Sequence, residues 1–300
     1  MVVTTALRQA CADVAERARH VQIERERISE YTATLVTGGG LAGPPPDLTD
    51  PAARETAAAF WLTLDAINFG SGWFPTLRKR AERTGYRTIA AGVRRRFDES
   101  GPWTASELAA ITPAELADLM DQEAGHELMG LFADLLRDLG RHLSGSFLNL
   151  VGSSAIGLVE TLSDWECFAD TSVYEELEVP FLKRAQIAAA DLHRAGVARF
   201  TDLGALTMFA DNLVPHVLRL DGVLSFEAEL VRRIEAGELI EHGSPEEIEI
   251  RACAVHAVEL IVATSPEPCT AAEVDEILWN RGQQPAYKAV PRHRSRTTAY

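Results

Sequence analysis

Thr104-Ala-Ser-Glu-Leu-Ala-Ala-Ile-Thr-Pro-Ala-Glu115 holds two helix starts within twelve residues. In each, a threonine is followed three positions later by a glutamate, at Thr104/Glu107 and Thr112/Glu115. That spacing lets the hydroxyl and the carboxylate satisfy main-chain amides left open at a helix N-terminus. Pro113 sits at a first helical position, where its missing N–H costs nothing. Ser244-Pro-Glu-Glu247 and Thr270-Ala-Ala-Glu273 repeat the signal. Beyond the second box, Leu116, Leu119, Met120, Leu128, Leu131, Leu135, Leu136 and Leu139 predict one helical stretch over 114–143, ended by Ser144-Gly-Ser146. Alternating apolar and polar residues are scarce, with short strands expected only near Tyr86–Ile89 and Val173–Val179. The fold class is therefore all-α. With no internal repeat, residues 1–300 read as a single domain.

Working outward, residues 1–36 read as an amphipathic helix or helix pair, with Leu7, Cys11, Val14, Ala18, Val21 and Ile28 on one face. Residues 38–47 contain a run of three glycines and a run of three prolines and predict a loop. Asp50-Pro51 restarts a helix as cap and first residue. Ala57, Phe60, Trp61, Leu64 and Ile67 give that helix a core face. It runs into Asp65-Ala-Ile-Asn-Phe-Gly-Ser-Gly-Trp-Phe-Pro75, where glycines permit a sharp turn among polar and aromatic side chains. Either this is a helix end with aromatic packing, or Phe69, Trp73 and Phe74 form a stacking wall for a flat ring whose edge Asn68 reads.

Composition narrows the function classes. Apolar content of 46% and charged content of 24% describe an ordinary soluble protein. No apolar run approaches the roughly eighteen residues needed to span a bilayer, and the first residues show no secretory pattern. The four cysteines are scattered without a CxxC pair, which fits a reducing cytoplasm. A net charge of -15 opposes grip on a nucleic-acid polymer. From Arg281 onward, however, five Lys/Arg residues occur with no acid. P-loop, GxGxxG, HExxH and GxSxG motifs are all absent, and the histidines show no metal-ligand spacing.

The most informative stretch for chemistry is Phe200–Leu224. It is mostly apolar, with Leu206, Met208, Phe209, Leu213, Val217, Leu218 and Leu220 at roughly helical spacing. Yet it holds Asp202, Asp211, Asn212, His216 and Asp221. A carboxylate in an apolar setting is costly unless something pairs with it or uses it. Pro215 either opens a helix or kinks one. The plain structural reading makes Asp202 a cap and Asp211 a solvated residue. The functional reading makes the two acids a catalytic pair, and the bend between them points both into one cavity.

Several segments in series resemble the queuosine salvage proteins, a family of queuosine 5′-phosphate N-glycosylases. They are Asn68-Phe69 with Trp73; Gly145-Ser-Phe-Leu-Asn149; Pro180-Phe-Leu-Lys-Arg-Ala-Gln-Ile187 with Ala190-Asp191; and Thr201-Asp202 through Phe209-Ala-Asp211 to Val214-Pro215. Glu249-Ile-Arg251, Val258-Glu-Leu-Ile261, Leu278-Trp279 and His293-Arg294-Ser-Arg296 with Tyr300 follow in order. Asn212-Leu213 stands where many relatives have Tyr-Arg, and His216 where many have Gln. The resemblance implies a helical fold similar to helix-hairpin-helix DNA glycosylases. It implies hydrolysis between ribose C1′ and a 7-deazaguanine base, with release of queuine for tRNA modification, no cofactor and no metal.

On that reading Asp202 and Asp211 are the catalytic candidates, because glycosidic cleavage builds positive charge on the sugar. Asn68, Phe69, Trp73, Phe74, Asn212 and His216 are candidates for binding the substrate. Lys183, Arg184, His293, Arg294 and Arg296 are candidates for a 5′-phosphate, which wants cations. Lys183-Arg184 reads otherwise as a solvated helix face. Glu249 and Arg251 lie on alternate sides of Glu247-Ile-Glu-Ile-Arg251, and one of them is expected to form a buried ion pair that fixes a pocket wall. The substrate is then a small nucleotide, with neither a nucleic-acid polymer nor a membrane as partner, and the protein a cytoplasmic monomer. Two rival readings are a non-catalytic helical module that binds RNA or a protein, and a glycosylase acting on polymeric DNA.

Overall fold

A computed structural model describes residues 2–35, 48–79 and 84–300. The predicted loop at 38–47 lies outside the described residues. Fourteen α-helices and four short strands occur among those described. In chain order they are α1 (Val3–Arg17), β1 (Val21–Ile23), α2 (Arg25–Thr34), α3 (Pro51–Ala66), α4 (Gly85–Ser100), α5 (Ala105–Ala110), α6 (Pro113–Leu119), α7 (Glu127–His142) and α8 (Ala155–Ser163). Then come β2 (Thr171–Tyr174), β3 (Leu177–Pro180), α9 (Lys183–Arg194), α10 (Val214–Leu220), β4 (Leu224–Phe226), α11 (Ala228–Glu235), α12 (Pro245–Thr264), α13 (Ala271–Gly282) and α14 (Pro285–Lys288). The chain is predominantly helical, as its capping signals require. Thr104, Thr112 and Thr270 each form the complete reciprocal box, and Asp50 caps α3 with Pro51 behind it. Ser244 caps α12, but the Glu247 carboxylate bonds the Gly243 amide and not that of Ser244.

The described residues divide into two compact units. The first takes them from Met1–Gly43, Asp170–Lys183 and Asp202–Arg296. Its axis is α12, buried on nearly every face, with Ile248, Ile250, Ala254, Val258 and Ile261 among its apolar contacts. A helix buried all round should be apolar all round. This one also buries Glu247, Glu249 and Arg251. Helices α1, α2, α10 and α13 pack against it. Strand β1 pairs antiparallel with β4, placing Val21 opposite Phe226. Strands β2 and β3 pair antiparallel where a short strand was expected, near Val173–Val179.

The second unit takes the described residues from Pro44–Ala169, Arg184–Thr201 and Thr297–Tyr300. Helices α3, α5 and α6 pack on α7. Gly140 of α7 permits the close crossing with α5: a Cβ there would lie 2.5 Å from the Ala109 nitrogen and 2.8 Å from the Ala105 carbonyl oxygen.

Four predicted elements differ. Val21, expected on a helical face of residues 1–36, lies in β1 between α1 and α2. The helix expected over 114–143 is broken between Leu119 and Glu127. Asp121 turns the chain with φ of 55°. The Gln122 side chain bonds main-chain groups of Arg78 and Met120, and His126 then caps α7. Polar Asp121-Gln-Glu-Ala-Gly-His126 cannot extend the leucine stripe, so the chain folds back there. Tyr86–Ile89 is not a strand but the first turns of α4, capped by Thr84. In residues 200–224 only Val214–Leu220 forms an α-helix.

Candidate active site

Residues Leu206–Asn212 run between a short 3-10 turn at Leu203–Ala205 and helix α10, with Leu206–Ala210 buried. Buried irregular backbone is expensive because its polar groups lack ladder partners. Side chains supply them here. Arg8 donates to the Leu206 carbonyl at 2.9 Å, and Asp275 accepts from the Phe209 amide at 3.0 Å. Arg251 Nε donates to the Ala210 carbonyl at 3.0 Å. The apolar residues are spaced like a helix, yet these long-range bonds take the main-chain groups that a helix would use.

This trace delivers Asp211 to the first turn of α10. Its Oδ1 accepts from the Leu213 and Val214 amides at 2.8 and 3.1 Å. Oδ2 makes no hydrogen bond among the described residues, and the residue is partly exposed. One carboxylate oxygen is therefore anchored and the other is open. Pro215 occupies the first turn, so it opens the helix and does not kink it. Asp202 caps the 3-10 turn by position but not through its side chain, and is also partly exposed. The expectation that Asp211 is merely solvated fails, since it holds a helix start.

Asn212 is buried and donates to the His293 carbonyl at 3.2 Å. His216 is buried one turn along α10, with Nε2 2.9 Å from the Tyr287 carbonyl. Since a carbonyl only accepts, Nε2 carries the proton and Nδ1 is a bare acceptor. Burial pushes the His216 pKa down to about 4 and that of His293 to about 3. Both rings are neutral near pH 7. Arg294 donates to the Gly237 carbonyl at 3.2 Å, while Arg296 is exposed. The tail is thus laid down on its unit and not frayed, and the Ile240 amide bonds the Arg294 carbonyl at 2.9 Å.

Lys183 and Arg184 are both buried, which removes the alternative reading of a solvated helix face. Lys183 begins α9 with its amide bonded to Asp170. Arg184, in the second unit, is fully buried and donates to the carbonyls of Ala66, Cys167, Ala169 and Ala299. Its guanidinium serves as a strut that joins three main-chain segments. It also lies 5.4 Å from the Phe69 ring centroid.

The aromatic turn belongs to that second unit. Gly70, at φ of 107°, turns the chain after α3 and bonds the Tyr300 carbonyl through its amide. Phe69 packs edge-on against Phe132, with centroids 5.0 Å apart. Trp73 is buried and its Nε1 donates to Glu127 at 2.7 Å. Phe74 is less buried, and a side chain at Gly85 would collide with its ring. Asn68 donates to Asp65 at 3.4 Å.

The comparisons with known proteins complete this picture. The family model described as queuosine salvage protein matches residues 48–300. The chain belongs to the queuosine salvage protein family. A Sphaerobacter thermophilus protein named queuosine 5′-phosphate N-glycosylase/hydrolase is 34% identical, covering 96% of this chain and 95% of its own length. A Mus musculus protein of the same name is 29% identical over 98% of both chains. A Schizosaccharomyces pombe counterpart is 31% identical over 75% of this chain and 71% of its own.

In this member of the queuosine salvage family, the buried ion pair expected of one of Glu249 and Arg251 is made by Arg251. Glu249 accepts the amides of Arg19, His20 and Val21 and the Tyr174 hydroxyl. Arg251 pairs with Asp170 at 2.7 Å and lies within 3.5 Å of Glu247, with its guanidinium 3.9 Å from the Phe181 centroid. Burial alone would raise the Glu247 pKa, but the His242 bond and the Arg251 charge outweigh it and hold it at about 2. Asp170, Asp275 and Arg292 were missed in the sequence, because nothing local marks which distant residue an acid or cation will meet. Arg292 directly precedes a motif that was noticed.

The two neutral histidines predict acid sensitivity. Their folded pKa values lie below the unfolded value near 6.5, so the unfolded chain binds more protons in that interval. Stability should therefore fall as pH drops from about 6.5 towards 4, by on the order of 3 kcal/mol for His216 alone. Denaturant titrations at pH 7 and pH 5 should show the loss, and His216→Gln should flatten it. Equal stability at both pH values would show that these rings are not buried neutral.

Proposed function

We propose that this protein hydrolyses the N-glycosidic bond of queuosine 5′-phosphate, releasing queuine and ribose 5-phosphate. The observation that carries this is Asp211, with one carboxylate oxygen clamped by α10 amides and the other open. Rupture of the bond at C1′ leaves positive charge on the ribose ring, which a fixed carboxylate stabilises. Fixing the acid beforehand avoids reorganisation during the reaction. Asp202 is the second carboxylate of this reading, and taking a proton from the attacking water is the role left for it. A 7-deazapurine has no N7 to protonate, so leaving-group help must come at another edge of the base. Family membership supports the reading, since relatives across most of their length carry the name of this activity. The expected substrate is a nucleoside monophosphate, its phosphate met by the basic tail that follows Arg281. The test is incubation with queuosine 5′-phosphate and chromatography for free queuine. Intact nucleotide after prolonged incubation with folded protein would reject the proposal.

A further inference from the structure

The cations of the tail are not equivalent. Arg294 donates to the Gly237 carbonyl, and Arg296 is exposed. Arg292 is placed differently. The residues on either side of it are pinned to the α10 region: the Pro291 carbonyl accepts from Arg219 at 3.3 Å, and the His293 carbonyl from Asn212 at 3.2 Å. Arg292 is therefore held beside the helix that Asp211 begins. Its Nε is buried and makes no hydrogen bond. Asp211 acts on it electrostatically, yet no ion pair joins the two. A second buried atom in the same region, Nδ1 of His216, also lacks a partner.

A buried guanidinium nitrogen without an acceptor is costly. Native structures rarely keep one unless something outside the chain completes it. A structural Arg292 would be expected to close onto Asp211, and it does not. A bound water could satisfy the bare acceptor of His216 but would not balance the guanidinium charge. Arg294 adds like charge, and the two histidines are neutral near pH 7. The group whose chemistry suits these two atoms is an anion with oxygen acceptors. We propose that Arg292 receives the substrate's phosphate, the ribose spanning the gap between its guanidinium and Asp211. This deepens the nucleotide-hydrolase reading and rests on it.

The test compares hydrolysis of queuosine 5′-phosphate and of queuosine by wild type, Arg292→Gln, Arg292→Lys and an Arg294→Ala/Arg296→Ala double variant. Arg292→Gln should lower the ratio of kcat/KM for nucleotide over nucleoside at least tenfold, as expected for losing a charge-assisted bond to phosphate. Arg292→Lys should restore part of it. An equal loss on both substrates would mean that Arg292 acts through Asp211, and would overturn the assignment. Loss of the preference only in the double variant would move the phosphate to Arg294 and Arg296, and would also overturn it. A second readout is independent of turnover. Ribose 5-phosphate, but not ribose, should raise the melting temperature of wild type and not of Arg292→Gln. If that shift is seen while neither substrate is hydrolysed, the phosphate site stands and the proposed reaction falls. An equal shift in both proteins removes the site.

Discussion

Asp211→Asn is expected to lower turnover of queuosine 5′-phosphate by about a hundredfold or more, the scale of losing a charge-stabilising group, while the protein stays folded. The two halves of that expectation have separate causes. Asparagine keeps a side-chain oxygen able to accept from the Leu213 and Val214 amides, and it is as good a helix cap as aspartate. The start of α10 should survive, with melting temperature almost unchanged. What disappears is the negative charge on the open side. Asp202→Asn belongs in the same experiment, because it removes the second carboxylate without touching a side-chain cap. Single-turnover rates on folded variants are the measurement. Normal turnover in both would remove the carboxylates from the mechanism.

Arg251→Met is expected to cost about 3–5 kcal/mol, the range for breaking one side of a buried ion pair. That approaches the whole stability of many domains. Methionine roughly fills the volume, but it leaves Asp170 and Glu247 charged inside the unit and the Ala210 carbonyl without its donor. The carbonyl links this prediction to the site, since Ala210 directly precedes Asp211. Denaturant unfolding should show the loss, and any folded fraction should also turn over slowly. A double variant with Asp170→Asn should lose less than the sum of the singles, because the stranded acid goes with its partner. A loss below about 1 kcal/mol in the single variant would show that the pair is not a structural support.

The helical class was legible because its determinants are local. A threonine and a glutamate three residues apart meet wherever a helix begins, so Thr104, Thr112 and Thr270 could be read without knowledge of the fold. Pro51 and Pro215 were legible for the same reason, since a missing N–H matters only to neighbouring residues. The Asp202/Asp211 pair drew notice because acids are rare in so apolar a stretch. The series of family-like segments was equally local in character.

Long-range partners decided the rest. Leu206–Asn212 has helical spacing, yet Arg8, Asp275 and Arg251 take its main-chain groups and keep it out of a helix, from positions far away in sequence. Lys183-Arg184 has the composition of a solvated face, but Arg184 is buried because four carbonyls converge on it. Tyr31, Arg281 and Tyr287 gather on Asp221, at 2.5, 2.8 and 2.6 Å, a cluster no spacing rule could assemble. Local patterns determine where a helix begins and which face is apolar, because those energies depend on neighbours a few residues apart. Which buried charge finds a partner, and which is left open for a ligand, depends on three-dimensional proximity, and only the tertiary structure decides it.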